Sequence, residues 1–330
     1  MKQNPTISIV TPCFNTGALL FETADSLASQ TCKDFEWIIV DDGSSAETKK
    51  ILSEIAFRSD IHTSVVFATH KGGNFCRNLG FSQSAGKLVK FFDADDLLEP
   101  KLIENQLNTA LENPNSLIVS PTAFKNEDKL ILPKMIKSSV TTDPLKSYLI
   151  RPYFMHGGAL IPRDFVQNIN GWDESLNFGQ DLDFFRRLLL QQNLSVVIDN
   201  RSSFIYRQHS LAPRLSRPNK NVCALYEGQL LALDKFAKAL ESSEREEELR
   251  PFLASNLDHW AASAAVRCPK MCQTLLDRAK AMSPNYPITG NNVYRTLRKL
   301  VGIRVASRLN RSRIFKSIHS KLFRRNIPID

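Results

Sequence analysis

Short apolar runs alternate with stretches of helical spacing through the first third of the chain. The apolar, β-branched runs predict strands over residues 7–13, 35–40, 64–68 and 86–92. Between and after them, apolar positions at helical spacing predict helices over residues 19–30, 46–57, 75–85 and 100–111. Strands that alternate with helices in this way predict βαβ units and a mostly parallel sheet flanked by helices, which is an α/β fold.

The alternation becomes less regular from residue 117. Strands are predicted over residues 116–123, 129–132, 158–162, 196–199 and 204–207, and helices over residues 143–150, 163–169 and about 180–192. After Pro218 the pattern is almost entirely helical, over residues 222–240, 244–265, 272–281 and from 293 onward. We therefore expect an α/β domain over residues 1–215 and a helical C-terminal region over residues 216–330.

Polar residues follow three of the predicted strands at the point where each strand ends. They occupy residues 12–15, 41–45 and 93–96, and the last of these stretches holds three carboxylates, Asp93, Asp95 and Asp96. Crowded carboxylates repel one another unless a cation lies between them, and oxygen ligands suit Mg²⁺ or Mn²⁺. Because ligands bind at the carboxyl ends of parallel strands, the pattern predicts a nucleotide site with a divalent cation. No glycine-rich dinucleotide or Walker A motif accompanies it.

The composition is that of a water-soluble globular protein. Hydrophobic residues make up 42% of the 330 residues and charged residues 23%. No apolar run reaches the roughly 18 residues of a membrane-spanning helix, and no signal-peptide pattern precedes the first predicted strand. Six cysteines are scattered through apolar or helical stretches, and the spacing of Cys268 and Cys272 does not indicate a zinc site. We expect a cytoplasmic protein in which all six are reduced thiols.

The positive charge is concentrated at the C-terminus. Residues 290–330 contain eleven Lys or Arg and one acidic residue, whereas the whole chain has a net charge of +9. In this tail Ile314, Phe315, Ile318 and Leu322 share one predicted helical face surrounded by basic residues, which indicates binding to an anionic membrane surface. Packing of that face on the preceding helices is the alternative. No interleaved aromatic residues support nucleic-acid binding, so no nucleic-acid partner is expected.

Six motifs in a fixed order carry a resemblance to a known family. They are Ser8-Ile-Val-Thr-Pro-Cys-Phe-Asn15, Ile38-Ile-Val-Asp-Asp-Gly-Ser44, Arg77-Asn-x-Gly80, Phe92-Asp-Ala-Asp-Asp96, Gly171-Trp-Asp-Glu174 and Gly179-Gln-Asp181. Together, over roughly residues 5–212, the chain resembles glycosyltransferase family 2. The resemblance implies an inverting enzyme of the GT-A fold.

The resemblance implies contacts with a nucleotide at the ends of the first two strands. Pro12, Phe14 and Asn15 match the first nucleotide-binding turn, in which the family usually has Tyr where this chain has Phe14. Asp42 matches the residue that hydrogen-bonds the imide of the base, and Asp41 lies beside it. This match favours uracil, and therefore a UDP-linked sugar as the donor.

The resemblance also implies a diphosphate and metal site. Arg77 matches a basic residue near the diphosphate, and Asp93-Ala94-Asp95 matches the family's Asp-x-Asp motif. In that motif the first carboxylate lies nearer the ribose and the second binds Mn²⁺ or Mg²⁺. His209 resembles the histidine that approaches the same metal in many members.

The resemblance places the acceptor beside the Gly179-Gln180-Asp181 motif. Asp181 matches the catalytic base, whereas Gln180 stands where the family usually has Glu or Asp. Trp172 and Asp173 are candidates for the acceptor pocket, although Trp172 could equally pack in the core. The stretch from His156 to Gly158 could form a loop on the acceptor side.

These residues predict one displacement reaction at a nucleotide-sugar. A divalent cation stabilises a leaving diphosphate, and one carboxylate deprotonates the acceptor hydroxyl. We therefore expect a glycan or glycolipid acceptor in surface polysaccharide synthesis, with the protein cytoplasmic or peripheral on the inner face of the membrane. Two alternatives remain open. A nucleotidyltransferase would carry a basic glycine-rich loop near the N-terminus, and residues 15–17 lack the basic residues; a catalytically silent scaffold would bind nucleotide without turnover.

Overall fold

The computed structural model describes residues 5–58, 60–126, 129–209, 222–288 and 292–311. The chain divides into two compact units, Met1–Arg217 and Pro218–Asp330. We call them the α/β unit and the helical unit.

The α/β unit contains eleven strands and seven α-helices among its described residues. The strands are β1 (Ile7–Cys13), β2 (Phe35–Asp41), β3 (Thr63–Phe67), β4 (Leu88–Phe91), β5 (Leu97–Leu98), β6 (Ser116–Val119), β7 (Thr122–Lys125), β8 (Leu130–Ile131), β9 (Ala159–Pro162), β10 (Ser195–Ile198) and β11 (Phe204–Arg207). The helices are α1 (Leu19–Ala28), α2 (Ala46–Ala56), α3 (Gly73–Gln83), α4 (Leu102–Glu112), α5 (Pro144–Ile150), α6 (Arg163–Asn168) and α7 (Gln180–Leu190). Short 3-10 turns lie at Ser138–Thr141 and His156–Gly158.

Seven of the strands form one mostly parallel sheet. Their order is β10-β6-β9-β4-β1-β2-β3, and β9 runs antiparallel to both of its neighbours. Val10 in β1 is paired with Ile38 in β2 and with Phe91 in β4, so the ends of these three strands lie side by side. The near-continuous apolar character of β1 and β2 reflects burial on both faces of the sheet. This register brings the predicted polar clusters to one edge, as the sequence predicts.

The predicted strand over residues 116–123 is in fact two strands in two different sheets. Ser120 donates its backbone N–H to Gly158, and Pro121, which follows, has no N–H to continue the ladder. β6 therefore ends in the large sheet, and β7 joins a second sheet in the order β5-β11-β7-β8. The backbone N–H of Arg207, at the end of β11, donates to Oδ1 of Asp96 (2.9 Å), so this second sheet reaches the Asp93–Asp96 loop.

The helical unit contains four helices among its described residues. They are α8 (Val222–Leu240), α9 (Glu246–Ala264), α10 (Pro269–Met282) and α11 (Asn292–Arg311). The helix predicted from residue 272 begins at Pro269, because a proline is favoured in the first helical turn. The carboxylate of Asp258 is fully buried and accepts hydrogen bonds from Arg298 (2.7 Å) and Tyr286 (3.0 Å). This network ties α11 to α9.

The expectation of six reduced cysteines is wrong for one pair. Cys223 and Cys268 form a disulfide with their Cα atoms 5.7 Å apart, across 45 residues of sequence. The sequence gives no indication of this pairing, because it depends on how α8 packs against the start of α10. Cys13, Cys32, Cys76 and Cys272 are free thiols. Disulfides are more typical of oxidising compartments than of the cytosol, so cytoplasmic localisation stays a prediction.

The predicted amphipathic face of Ile314, Phe315, Ile318 and Leu322 lies outside the described residues. Among the helices that are described, none has the length and apolarity required to cross a membrane.

Candidate active site

Three carboxylates lie close together in the loop after β4. One oxygen atom each of Asp93, Asp95 and Asp96 lies within 4.8 Å of the other two. Asp96 is fully buried, and burial together with the charges of Asp95 and Asp93 raises its pKa well above the ordinary value. Its Oδ2 atom has no hydrogen-bond partner among the described residues. Three carboxyl groups therefore crowd one loop, and the charges of Asp93 and Asp95 disfavour ionisation of the buried Asp96.

A histidine from the second sheet completes this cluster. His209 follows β11, and its Nε2 atom lies 2.8 Å from Oδ2 of Asp95. Carboxylate oxygens are the ligands that suit Mn²⁺ or Mg²⁺, and His209 lies against one of them. The residues present thus fit the divalent cation that the sequence predicts, and Asp95, Asp93, Asp96 and His209 are those that could hold it.

Arg77 brings positive charge to the other side of Asp93. It lies in α3, is 6% exposed, and donates from Nη2 to Oδ1 of Asp93 (2.9 Å). Its guanidinium group lies 4.6 Å from the ring centroid of Trp172. Burial raises the pKa of Asp93, but the charges of His156 and Arg77 outweigh that effect and hold it well below its ordinary value. Asp93 therefore remains ionised beside a fixed cation.

His156 lies between two predicted site residues. Its Nε2 atom is 3.2 Å from Oδ2 of Asp93, and its Nδ1 atom is 3.6 Å from Oδ2 of Asp181. Burial lowers the pKa of His156, but the charges of Asp93 and Asp181 raise it to about 10. Burial likewise raises the pKa of Asp181. The charge of His156, and to a smaller extent that of Arg77, outweighs this effect and holds the pKa below its ordinary value. The predicted catalytic base thus lies in the same cluster as the predicted donor-site carboxylate.

The turns after β1 and β2 hold each other in place. The backbone N–H of Asn15 donates to Oγ of Ser44 (2.9 Å), and that of Ser45 donates to Oδ1 of Asn15 (2.8 Å). Asn15 adopts a left-handed conformation with φ of 50°, which asparagine tolerates better than most residues. The structure therefore joins two of the predicted nucleotide-binding segments into one surface.

Asp42 organises the loop that follows β3. Its carboxylate accepts hydrogen bonds from the backbone N–H groups of Lys71 (2.7 Å) and Gly72 (3.0 Å), and Nδ1 of His70 lies 3.0 Å from Oδ2. The His70 ring packs against Phe14, which is half exposed, with the ring centroids 4.5 Å apart. Phe14 and His70 together present an exposed aromatic surface beside Asp42.

The other predicted donor-site residues support the backbone. Asp41 is fully buried, and both of its carboxylate oxygens accept from the backbone N–H of Ser44 (3.2 Å). Ala94 is buried, and its carbonyl oxygen accepts from Thr23 (2.9 Å). Pro12 is half-buried at the end of β1. Asp41 and Ala94 thus have contacts inside the protein, and any ligand contact of theirs remains a prediction.

The predicted acceptor-side residues differ in how they are placed. Trp172 is 2% exposed and stacks on Phe184 at 4.2 Å, so it packs in the core below Arg77. Oδ1 of Asp173 accepts from the backbone and hydroxyl of Ser175. Gln180 is the first residue of α7 and is half-buried, with Asp181 immediately after it. Trp172 reaches the cluster around Asp93 through Arg77, and Asp181 reaches it through His156.

The structure places three further residues at the site: His70 and Lys90, for which the sequence motifs indicate no role, and His156, which the sequence indicates only as part of a loop. His70 pairs with Asp42, and His156 bridges Asp93 and Asp181. Lys90, which interrupts the apolar pattern of β4, is fully buried and donates to Gly157 (2.8 Å) and Ala159 (3.0 Å). Of these three residues, Lys90 is the one that the sequence pattern could have indicated. A lysine in an otherwise apolar central strand must find hydrogen-bond partners inside the protein.

Comparison with known proteins agrees with the motifs. Residues 8–169 match the model of the family "Glycosyl transferase family 2". Over this segment the chain belongs to glycosyltransferase family 2. A Rickettsia bellii protein named "Uncharacterized glycosyltransferase" is 29% identical over 240 residues, which cover 69% of this chain and 34% of that protein. The chain thus spans about a third of the length of this relative.

Two solved structures share the fold of this family member. The crystal structure of S. aureus TarS 1–349 in complex with UDP-GlcNAc has a TM-score of 0.65 at 18% identity, covering 98% of this chain and 95% of that chain. The mannosyltransferase PcManGT from Pyrobaculum calidifontis, in complex with GDP-Man and Mn²⁺, has a TM-score of 0.54 at 16% identity, covering 98% and 89%. The predicted GT-A fold, with its mostly parallel sheet and helical C-terminal region, is confirmed.

Proposed function

We propose that this family 2 glycosyltransferase transfers a sugar from a UDP-linked donor to a hydroxyl group of a glycan or glycolipid, with inversion and with the help of a divalent cation. One observation carries the proposal. The carboxylate group around Asp93 and Asp95 meets Arg77 on one side and the Asp181–His156 pair on the other. A leaving diphosphate needs positive charge to stabilise it, whereas an attacking hydroxyl needs a base to accept its proton. The site has groups of both kinds next to each other.

The donor half of the site supplies charge and an aromatic surface. Phe14 and His70 offer a face on which a base can stack. The family match assigns Asp42, which lies beside them, to the imide N–H of uracil. Arg77 supplies a buried guanidinium beside Asp93, where we propose that the diphosphate binds. A relative solved with UDP-GlcNAc supports uridine, and one solved with GDP-Man shows that the fold also accepts guanosine. The match at Asp42 leads us to favour UDP.

Four residues would hold the cation, namely Asp93, Asp95, Asp96 and His209. When bound, Mn²⁺ or Mg²⁺ neutralises charge on the departing diphosphate. The protein's own contribution is to gather the oxygen and nitrogen donors on one loop and one strand end. The buried Oδ2 of Asp96 and the 2.8 Å His209–Asp95 contact support this assignment.

Asp181 is the proposed general base. It lies in the first turn of α7 with its side chain 42% exposed, so an acceptor can reach it from solvent. Its pKa lies below the ordinary value, which keeps it ionised and able to accept the proton of the attacking hydroxyl at neutral pH. A single displacement of this kind inverts the configuration of the sugar and requires no covalent intermediate.

The C-terminal segment is the proposed contact with an anionic membrane surface. In α11 the side chains of Arg295, Lys299 and Arg304 are exposed together with Val301 and Val305. Basic and apolar side chains on one exposed segment favour an interface with anionic lipid, at about 1 kcal/mol per basic residue. A glycolipid acceptor would be presented at such a surface.

Calorimetric titration with UDP, GDP and CDP, each with and without Mn²⁺, tests the proposal. We expect UDP to bind more tightly than GDP or CDP, and Mn²⁺ to strengthen the binding. Preference for GDP would overturn the choice of donor while preserving the rest of the site. No binding of any nucleotide would favour a protein that has kept the fold without the activity.

A further inference from the structure

We propose that His156 is a positioning residue for catalysis, which holds the carboxylate of Asp181 at a fixed place next to the donor-site carboxylate Asp93. The proposal rests on the proposed function, because it assigns Asp181 the role of base. It concerns a residue that lies 25 positions before Asp181 and 63 after Asp93 in the sequence.

The position of the imidazole between the two carboxylates carries the inference. The side chain of His156 is 5% exposed, and each ring nitrogen faces one carboxylate, at 3.2 Å for Asp93 and 3.6 Å for Asp181. Neither nitrogen makes a well-directed hydrogen bond to a described residue. A buried imidazole with both nitrogens directed at functional carboxylates is costly unless those contacts are used.

The backbone around His156 is held from three sides. A Cβ atom on Gly157 would lie 2.3 Å from the ring of Phe204, and one on Gly158 would lie 2.6 Å from the carbonyl oxygen of Ser120. The Nζ atom of Lys90 donates to the carbonyl oxygens of Gly157 and Ala159. The 3-10 turn His156–Gly158 is therefore wedged between β4 and β11, and the imidazole has little freedom to leave its place.

The two carboxylates depend on His156 to different degrees. Asp93 is also bound by Arg77 at 2.9 Å. For Asp181, His156 is the ion-pair partner among the described residues, and the Oδ1 atom of Asp181 makes no hydrogen bond to them. Loss of the imidazole should consequently leave the donor side in place and release the base.

This asymmetry predicts a loss of turnover without a matching loss of nucleotide binding. Displacement of a reacting group by about 1 Å can cost on the order of 100-fold in rate. We expect His156→Gln to lower the rate of UDP release by about 10- to 100-fold, while the Kd for UDP with Mn²⁺ stays within about threefold of the wild-type value. A residue needed only for folding would lower both together.

The first experiment tests the contact between His156 and Asp181 through protein stability, without any ligand. Urea midpoints are compared for wild type, His156→Gln, Asp181→Asn and the double variant, with the exposed His62→Gln as the matched control. We expect the two single shifts not to add up in the double variant, because residues in contact are coupled. Additive midpoints would overturn the pairing of His156 with Asp181.

The second experiment measures turnover. UDP release with Mn²⁺ is followed for UDP-GlcNAc, with water as the acceptor, and the Kd for UDP is measured by calorimetry for the same variants. A fall in rate at constant Kd supports the inference, whereas a wild-type rate in His156→Gln, or equal losses of rate and binding, overturns it. A wild-type protein that binds no UDP contradicts the proposed function instead, and the urea cycle then still decides whether the pair exists.

Discussion

The Nε2 atom of His209 lies 2.8 Å from Oδ2 of Asp95, although 114 positions separate the two residues in the sequence. The contact forms because β11 ends beside the loop after β4, where the backbone N–H of Arg207 is bonded to Asp96. The second sheet therefore contributes to the site, because the residue after β11 places one imidazole beside a group of carboxylates. Without a cation the histidine is a partner of Asp95; with a cation both can become ligands.

Replacement of Asp95 should remove the effect of metal on nucleotide binding. We expect Asp95→Ala to bind UDP equally with and without Mn²⁺, and His209→Ala to weaken the Mn²⁺-dependent binding by at least about tenfold, the size of effect seen when groups that support a metal are lost. Calorimetric titration at constant ionic strength measures both.

Glu54→Ala is the matched control, because Glu54 is an exposed acidic residue on α2. It should leave the Mn²⁺ effect unchanged. An Asp95→Ala protein whose UDP affinity still rises with Mn²⁺ would mean that the metal is held elsewhere.

Lys90 should make stability depend on pH in a specific window. Burial lowers its pKa from 10.5 to about 7, and its described contacts are carbonyl oxygens. Between these two values the unfolded chain binds a proton that the folded protein does not, so the stability of the folded state rises with pH. Below about pH 7 both forms are charged, and the cost of burial is constant.

The measurement is the difference in unfolding free energy between wild type and Lys90→Met at pH 7.5 and pH 9.5. Titrations elsewhere in the protein cancel in this difference. We expect the unfolding free energy of the wild type, relative to that of the variant, to rise by at most about 1.4 kcal/mol per pH unit. Parallel pH profiles for the two proteins would show that Lys90 is charged, or accessible to water, throughout.

Removal of the residues after Arg311 should weaken binding to anionic membranes. The deletion should not start earlier, because Arg298 in α11 neutralises the buried carboxylate of Asp258, and loss of one partner of a buried ion pair typically costs about 3–5 kcal/mol. A chain that ends at Arg311 loses five of the eleven basic residues of the tail. We expect less flotation with phosphatidylserine-containing vesicles and no change with neutral vesicles. Equal flotation of both chains would contradict a membrane role for residues 312–330.

The parts of the fold that the sequence predicts are those set by local pattern. The apolar runs of β1 and β2 and the polar residues at their ends follow directly from burial on both faces of a parallel sheet. The order of the motifs places Asp42, Arg77, Asp93 and Asp181 in one family pattern. Contacts then bring Arg77, Asp93 and Asp181 together through His156.

The features that the sequence did not predict depend on contacts between distant residues. The division of residues 116–123 into two sheets follows from Gly158 and Phe204, which bond to the backbone on either side of the break. The Cys223–Cys268 disulfide depends on helix packing. The role of His156 depends on Lys90 and on two glycines that leave no room for a side chain. No periodicity within one segment contains this information.

The most direct test of the account compares binding and turnover in Asp181→Asn. Asparagine keeps the size of the side chain but cannot accept the proton of the attacking hydroxyl, and general bases contribute about 10²- to 10⁴-fold to rate. We predict that the variant binds UDP and Mn²⁺ as the wild type does, while UDP release from UDP-GlcNAc falls by at least about 100-fold. An Asp181→Asn enzyme with wild-type turnover would contradict the assignment of Asp181 as the base.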